Sequence, residues 1–292
     1  MAYGGPGTLL TLSGRLLTPI GLAMAQEKKG QPMDIGKPLF LQISDAHIGF
    51  NKEATPDVAT TLKQTIDLVT SMPAKPALAI HTGDITQLSK AQDFDLTSQL
   101  LFGLPVSKLH TVTPKHDVTD GSGAEYFNRL SKAPDNKDNC SFDHDDVHFV
   151  GLVNVMHFKS NALDGFGEDQ LAWLEQEISR AVHRSRSSHT CPCGRSTNLG
   201  GGETGDAPQA TGYLQYLGSL TVLNGHIHHI ASKVRGNIAF HTARSIAFPQ
   251  PPPESIGPLT VARHQLPRMP GVTTVSFAGH PGGAAVHDST IA

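Results

Sequence analysis

The sequence predicts an α/β layer protein, in which helices cover a β-sheet. Short apolar runs typical of strands buried on both faces alternate with segments whose apolar residues recur at helical spacing. The 292 residues include 29 Gly and 20 Pro, which favours many loops and argues against a helical bundle or coiled coil. A chain of this length can bury a sizeable core.

The predicted elements alternate between strand and helix along the chain. The first strand covers residues 39–43, and the helix after it begins at Pro56, with Thr55 in its N-cap, and ends near Ser71. Such strand–helix–strand units predict a sheet with helices packed on it. The other strands are predicted at residues 77–80, 109–112, 147–153, 220–223 and 238–240, and the other helices at residues 91–101 and 167–182.

Polar residues cluster directly after four of the predicted strands. In open α/β sheets, binding sites form outside the carboxyl ends of the strands, so we expect these clusters to converge. They are Asp45 with His47, Gly83-Asp84, Lys115-His116-Asp117, and Gly225-His226-Ile227-His228 followed by His229.

The residue types in these clusters indicate a metal site. The chain has 16 His, and Asp oxygens and neutral His nitrogens suit Zn, Mn or Fe. Asp45 and His47 lie two residues apart, so in an extended segment both point the same way. The pair His226 and His228 repeats this spacing. The carboxylate of Asp84, which follows a Gly, can bring its oxygens close to two metals at once.

In order and rough spacing, the clusters resemble the motifs of the calcineurin-like metallophosphoesterase family over about residues 38–245. The family motifs are D-x-H, G-D, G-N-H-D/E and G-H-x-H. This chain matches the first, second and fourth motifs in full, and half of the third. The resemblance implies a layered β-sandwich flanked by helices. Within the family, it points to exported bacterial members that resemble cyclic-nucleotide phosphodiesterases.

The resemblance also implies metal-dependent hydrolysis of phosphate mono- or diesters by a metal-bound hydroxide. Divalent Mn, Fe or Zn would serve as the cofactor, with two ions in an intact family member. One ion would be bound by Asp45, His47, His228 and a bridging Asp84. The second ion would share Asp84 and take His226.

The catalytic group implied by the resemblance is His116. It would protonate the leaving alkoxide or stabilise charge in the transition state, and Asp117 would orient it. His229 follows the ligand pair but faces the opposite way on an extended segment, so it is a candidate to line the substrate pocket. The expected partner is a small phosphate ester.

Lys115 stands where the family has an Asn that binds the second metal. A charged Lys has no acceptor, so it cannot be a ligand. It either replaces part of the charge of a missing cation or faces solvent.

Residues 183–202 are the larger departure, because the family needs here a buried strand that ends in a His ligand. The segment has no strand pattern and predicts a polar loop. Read in a shifted frame, residues 185–200 allow a short apolar strand that ends in His-x-Pro, so we hypothesise a frameshift in the gene. His189 lies within one residue of the lost ligand and is a candidate substitute. The frameshift would also remove the Cys191-Pro192-Cys193 sequence, which we do not interpret as a metal or redox site.

If both departures are real, the second metal keeps only Asp84 and His226, and the protein binds one ion tightly. Two alternatives to an active hydrolase therefore stay open. One is a catalytically weak or inactive relative that binds one metal or a phosphate-bearing ligand. The other is a His-rich protein that buffers metal ions.

The formal net charge of −3 shows no basic footprint, so no nucleic-acid partner is expected. No apolar run is long enough for a transmembrane segment, and three Cys cannot build a disulfide framework. Residues 1–25 predict a signal peptide, since an apolar stretch ends in Ala23-Met24-Ala25, although the basic start is missing. The protein is then exported, into the periplasm, or is cytoplasmic if these residues form a disordered arm.

Three parts of the chain follow from these observations. Residues 1–25 form the signal peptide or arm, residues 34–262 form the metallophosphoesterase domain, and residues 263–292 form a Gly-rich C-terminal tail.

Overall fold

A computed structural model describes residues 40–52, 57–112, 115–118, 123–130, 139–144, 147–153, 165–184, 189–193, 205–215, 217, 220–250, 271–276 and 285–290. The side chains of residues 115, 181–184, 189–193, 271–276, 285–287 and 289–290 are outside that description. In chain order the elements are β1 (Phe40–Ser44), α1 (Val58–Ser71), β2 (Leu78–Thr82), α2 (Ala91–Leu101), β3 (Lys108–Thr111), a 3₁₀ turn (Lys115–Asp117), α3 (Ala124–Arg129), β4 (Cys140–His144), β5 (Val147–Gly151), α4 (Glu168–Arg184), β6 (His189–Cys193), α5 (Ala207–Leu214), β7 (Leu220–Asn224), β8 (Ala231–Arg235), β9 (Ile238–Thr242), β10 (Gly271–Ser276) and β11 (Ala285–Thr290).

The strands form two sheets that pack face to face. The first has the order β11-β10-β1-β2-β3, and the second has the order β4-β5-β6-β7-β9-β8. Strands β1, β2 and β3 are parallel, as are β5, β6, β7 and β9. Strands β10 and β11 in the first sheet, and the edge strands β4 and β8 in the second, pair antiparallel with their neighbours. Apolar side chains from both sheets share one cluster between them, built from Phe40, Leu78, Ile80, Val147, Phe149 and Leu223.

Helices cover the outer faces of the two sheets. Helix α1 packs on the first sheet through residues such as Leu62 and Val69, which contact Leu41 and Ile43 in one core cluster. Helices α4 and α5 cover the second sheet in a cluster with Leu174, Leu214, Val150 and Leu220. The predicted α/β sandwich flanked by helices is confirmed, and within the described residues no helix is long and apolar enough to cross a membrane.

Helix α1 begins at Val58, two residues after the predicted start at Pro56. Its N-cap is Asp57, whose carboxylate accepts hydrogen bonds from the backbone N of Thr60 at 3.0 Å and from its hydroxyl at 2.6 Å. The predicted cap, Thr55, lies outside the described residues. A carboxylate that reaches the third helical N–H satisfies a donor that otherwise lacks a partner, and this fixes the start of the helix.

The polar loop predicted for residues 183–202 is wrong in part, because His189–Cys193 forms strand β6 in the middle of the second sheet. It pairs in parallel with β5 on one side and β7 on the other. Those two strands each offer a row of backbone donors and acceptors that need partners. Backbone pairing, not an apolar pattern, therefore makes this segment a strand.

The C-terminal segment also differs from the expected Gly-rich tail. Strand β10 pairs antiparallel with β1, and β11 pairs with β10, so both complete the first sheet. The physical reason is again an edge that needs a partner, here that of β1, together with the β-branched residues Val272, Thr273, Thr274 and Val275.

Candidate metal centre

The predicted clusters after β1, β2 and β7 meet at one edge of the sandwich. Pairing between β1 and β2 continues past the strands, since Asp45 N donates to Thr82 O at 3.1 Å and His47 N donates to Asp84 O at 3.1 Å. From the second sheet, His226 N donates to Asp45 Oδ2 at 2.8 Å. The carboxyl ends of both sheets therefore converge on Asp45, as the sequence predicts.

The buried carboxylate of Asp45 lies in a cradle without spare room. Its Oδ1 accepts from Asp84 N at 3.0 Å, and its Oδ2 also accepts from Ser44 Oγ at 2.6 Å. A Cβ at Gly83 would overlap this carboxylate. A Cβ at Gly225 would overlap Ser44 Oγ and lie 2.9 Å from Asp45 Oδ2. The two glycines thus let three backbone segments close around one carboxylate.

Four candidate ligands have backbone in the left-handed region, which residues other than Gly rarely adopt. The φ angles are 54° for Asp45, 45° for His47, 77° for His226 and 58° for His228. The prediction that each pair projects from an extended segment is therefore wrong, although their side chains do converge. Such strain persists where the surroundings fix it, and it clusters at functional sites.

Three imidazoles are oriented by hydrogen bonds from Nδ1 to oxygen atoms. His47 Nδ1 lies 2.9 Å from Gln87 Oε1, His116 Nδ1 lies 2.8 Å from Gln87 O, and His228 Nδ1 lies 2.8 Å from Phe248 O. An oxygen acceptor requires the proton on Nδ1, which leaves a lone pair on Nε2. His47 Nε2 and His228 Nε2 lie 3.0 Å apart, and burial lowers the pKa of His47 to about 4.

Asp84 presents one buried oxygen without a hydrogen-bond partner, Oδ2. Three imidazole nitrogens surround it, at 3.4 Å for His226 Nδ1, 3.8 Å for His47 Nε2 and 3.9 Å for His116 Nε2. Burial raises the pKa of Asp84, but the imidazoles of His226, His47 and His116 outweigh it and hold the pKa below its usual value. The group is therefore an ionised carboxylate.

Two sets of side chains bring their ligand atoms within 4.8 Å of one another. One set is Asp45, His47 and His228, and the other is Asp45, Asp84 and His226. The unpartnered oxygen of Asp84 and the facing Nε2 atoms of His47 and His228 are what a cation would satisfy. These O and N donors fit Mn, Fe or Zn ions.

Comparison with known proteins supports the fold. No family model matches the chain. Over 148 residues it is 24% identical to the probable glycerophosphodiester phosphodiesterase GpdQ of Arcobacter nitrofigilis, which covers 49% of this chain and 52% of that protein. Its fold is similar to that of purple acid phosphatase PPD1 from yellow lupin (Lupinus luteus), with a TM-score of 0.58 and 12% identity over 86% of this chain and 51% of that one. The fold is that of a calcineurin-like metallophosphoesterase.

The metallophosphoesterase fold is also similar to that of GAP50, the anchor in the inner membrane complex of Plasmodium. That match has a TM-score of 0.50 and 13% identity, and it covers 87% of this chain and 88% of GAP50. The chain spans about half the length of GpdQ and of the lupin phosphatase, 52% and 51% respectively.

The structure gives different roles to the two residues that were expected to act together in catalysis. The His116 side chain is 32% exposed, and its Nε2 points towards Asp84. Asp117 does not orient it, because the Asp117 carboxylate accepts from Ile85 N at 2.8 Å, Thr86 N at 2.7 Å and Thr86 Oγ1 at 2.6 Å. Burial raises the pKa of Asp117 well above its usual value. Asp117 fixes the loop after β2, and the main-chain oxygen of Gln87 orients His116.

The remaining candidates stand as follows. His189 begins β6 opposite Val147, at the end of the sheet away from the metal site, so four residues of strand, roughly 13 Å, separate it from the carboxyl edge. It is therefore not placed to substitute for a ligand. His229 is half-buried, with Nδ1 2.9 Å from Ile227 O. The side chain of Lys115 lies outside the described residues.

Two parts of the site were not predicted from sequence. Gln87 contacts two imidazoles. In the sequence, its position three residues after Asp84 was the one feature that could have indicated its place in the site. The loop after β9 also closes on the site, where Ser245 Oγ donates to Asp45 O at 2.9 Å and Ala247 N donates to the same oxygen at 3.1 Å. Nothing in the residue types of that loop marks it as part of a metal site.

Proposed function

We propose that the protein is a metal-dependent hydrolase of phosphate esters, with a preference for diesters. The observation that carries the proposal is the buried, unpartnered Oδ2 of Asp84, which three imidazoles surround. The similarity to a probable glycerophosphodiester phosphodiesterase supports a diester substrate. Bound divalent cations would supply Lewis acidity and positive charge to the phosphate.

Each candidate residue has a task that its contacts support. Asp45, His47 and His228 would hold one ion, and Asp84 and His226 would hold a second beside Asp45. The left-handed backbone of Asp45, His47, His226 and His228 helps to fix their ligand atoms before an ion binds, which reduces the cost of ordering them.

His116 is placed to act on the leaving group. Its Nδ1 proton is held by Gln87 O, so Nε2 is the nitrogen that gains and loses a proton. Because the side chain is partly exposed, Nε2 can take a proton from solvent and donate it to the leaving alkoxide oxygen.

The test is hydrolysis of bis-p-nitrophenyl phosphate and p-nitrophenyl phosphate by the full chain, with Mn²⁺ and with Zn²⁺ after chelator treatment. We expect metal-dependent turnover, faster on the diester, that Asp84→Asn abolishes. Asp67→Asn, an exposed position on α1, is the matched control and should keep full activity. No turnover by the wild-type protein with either metal would overturn the proposal.

The second candidate is a weak or inactive relative that binds one metal. Lys115 stands in place of an Asn, and GAP50, an anchor, shares the fold, so the fold by itself does not require catalysis. Metal content measured by mass spectrometry separates the two, since the hydrolase should hold two ions per chain and the relative one.

We also propose that the protein is exported, on the pattern of residues 1–25. Mass spectrometry of the N-terminus of the protein isolated from its native cells should then find Gln26 as the first residue. An intact Met1 would contradict export.

A further inference from the structure

Gln87 contacts both sides of the metal centre at once. Its Oε1 lies 2.9 Å from His47 Nδ1, and its main-chain O lies 2.8 Å from His116 Nδ1. We infer that Gln87 is a positioning residue whose side-chain oxygen fixes the proton of His47 on Nδ1 and so keeps Nε2 free for an ion. The inference rests on the proposed metal-dependent function.

The loop that carries Gln87 is held rigidly beside His47. Gln87 N donates to Ile48 O at 2.9 Å, and Ile48 N donates to Ile85 O at 2.9 Å, which continues the β1–β2 pairing past the strand ends. On the other side, the carboxylate of Asp117 binds the backbone N of Ile85. The side-chain amide of Gln87 therefore meets His47 from a fixed backbone.

The side-chain amide of Gln87 can present either its oxygen or its NH₂ group to His47, and the two orientations have opposite effects on His47 Nε2. If its oxygen faces His47, the proton sits on Nδ1 and the Nε2 lone pair is available to an ion. If its NH₂ faces His47, Nδ1 must accept, and the proton moves to Nε2, which then donates to His228 Nε2 only 3.0 Å away. That His–His hydrogen bond would prevent the two Nε2 atoms from binding a metal ion together. The oxygen-facing state keeps the pair open.

His116 provides an internal reference for this argument. Its Nδ1 partner is a main-chain oxygen, which every substitution of Gln87 retains. A change in the Gln87 side chain should therefore alter the state of His47 and leave that of His116 unchanged. Collapse of the loop would alter both.

The test compares Gln87→Met, which has the same length but cannot accept this hydrogen bond, with Gln87→Glu, which can only accept. Zn²⁺ alone is titrated into chelator-treated protein by calorimetry, and ¹H–¹⁵N spectra of the metal-free protein report the protonated nitrogen of each His. Gln64→Met, an exposed position on α1, is the matched control.

We expect Gln87→Met to weaken Zn²⁺ binding by about 10- to 100-fold and to remove the Nδ1–H form of His47, with His116 unchanged. Gln87→Glu should restore both, and Gln64→Met should change neither. Wild-type affinity and an Nδ1–H His47 in Gln87→Met would overturn the inference, as would loss of the Nδ1–H form of His116 as well. Neither readout requires turnover, so a protein that binds Zn²⁺ without hydrolysis would contradict the proposed function and leave this test intact.

Discussion

His47 Nε2 and His228 Nε2 face each other at 3.0 Å, while the Nδ1 atoms of both rings are held by oxygen acceptors. Burial lowers the pKa of His47 to about 4, so at neutral pH its ring is neutral. With the proton of each ring on Nδ1, both Nε2 lone pairs face the same point, where a cation can accept them. The arrangement therefore suits a bound ion.

Metal removal should lower stability measurably. A ligand that binds only the folded state at 100 times its Kd raises the free energy of unfolding by about 2.7 kcal/mol. We expect Mn²⁺ at that concentration to shift the urea denaturation of the chelator-treated protein by this amount. Asp45→Asn, which removes a residue of both ligand sets, should abolish the shift. Identical curves for wild-type protein with and without Mn²⁺ would contradict a functional site.

Gly225→Ala should destroy the cradle around Asp45. The added Cβ would overlap Ser44 Oγ and lie 3.0 Å from Gly83 Cα, so backbone has to move. We expect destabilisation of about 1–3 kcal/mol and loss of metal binding, measured by urea denaturation and calorimetry.

The matched control for Gly225→Ala is Gly212→Ala on helix α5, where the new Cβ has no atom within 4 Å. There the substitution should stabilise the protein by up to about 1 kcal/mol, because Ala is the better helix former. An equal change in the free energy of unfolding at the two positions would show that the effect of Gly225→Ala does not come from the packing around Asp45.

His81 should make stability depend on pH. It is fully buried, neither ring nitrogen has a hydrogen-bond partner, and burial lowers its pKa from 6.5 to about 4. Between those values the unfolded chain binds a proton that the folded protein does not. The free energy of unfolding therefore falls as the pH drops through this window, by up to about 3 kcal/mol.

His81→Leu removes that group and its unpaired nitrogens. We expect the variant to be more stable than the wild-type protein at pH 5, with a smaller advantage at pH 8, in urea denaturation of chelator-treated protein. Parallel pH profiles for the two proteins would show that His81 does not titrate in this window.

Sequence reasoning predicted which candidate ligands lie close together, because chemistry and topology agree there. Asp45, Asp84, His226 and His228 follow strands, and strand ends at one edge of a sandwich must meet. It did not predict the strands that form by backbone pairing between residues far apart in the sequence. Strands β6 and β10 form because neighbouring edges need partners, and their own residues carry little apolar pattern.

The wrong role for Asp117 has a similar cause. The family resemblance implied that Asp117 orients His116, but within the 3₁₀ turn the Asp117 carboxylate accepts hydrogen bonds from the backbone of Ile85 and Thr86. Spacing along the chain gives the residue types of a site, and the loop geometry decides which atoms meet.

His116→Gln should separate catalysis from metal binding. The variant loses the proton donor near Asp84, so kcat on bis-p-nitrophenyl phosphate should fall about 100- to 10,000-fold. His116 is in neither ligand set, so Mn²⁺ affinity measured by calorimetry should stay within about threefold of the wild-type value. A loss of Mn²⁺ affinity as large as the loss of kcat would make His116 a ligand instead.

The gene sequence across codons 180–206 should contain a missing or extra base. Strand β6 places Pro192 opposite Val150 in the centre of a six-stranded sheet, where Pro lacks the N–H that a central strand must donate. Read in the shifted frame, residues 185–189 allow an apolar run that ends in His-x-Pro, and its His, within one residue of position 189, would be the ligand that the family resemblance requires. Resequencing of the gene, with a peptide mass map of the native protein, decides the matter. An unchanged reading would contradict the frameshift and favour a protein that binds one ion.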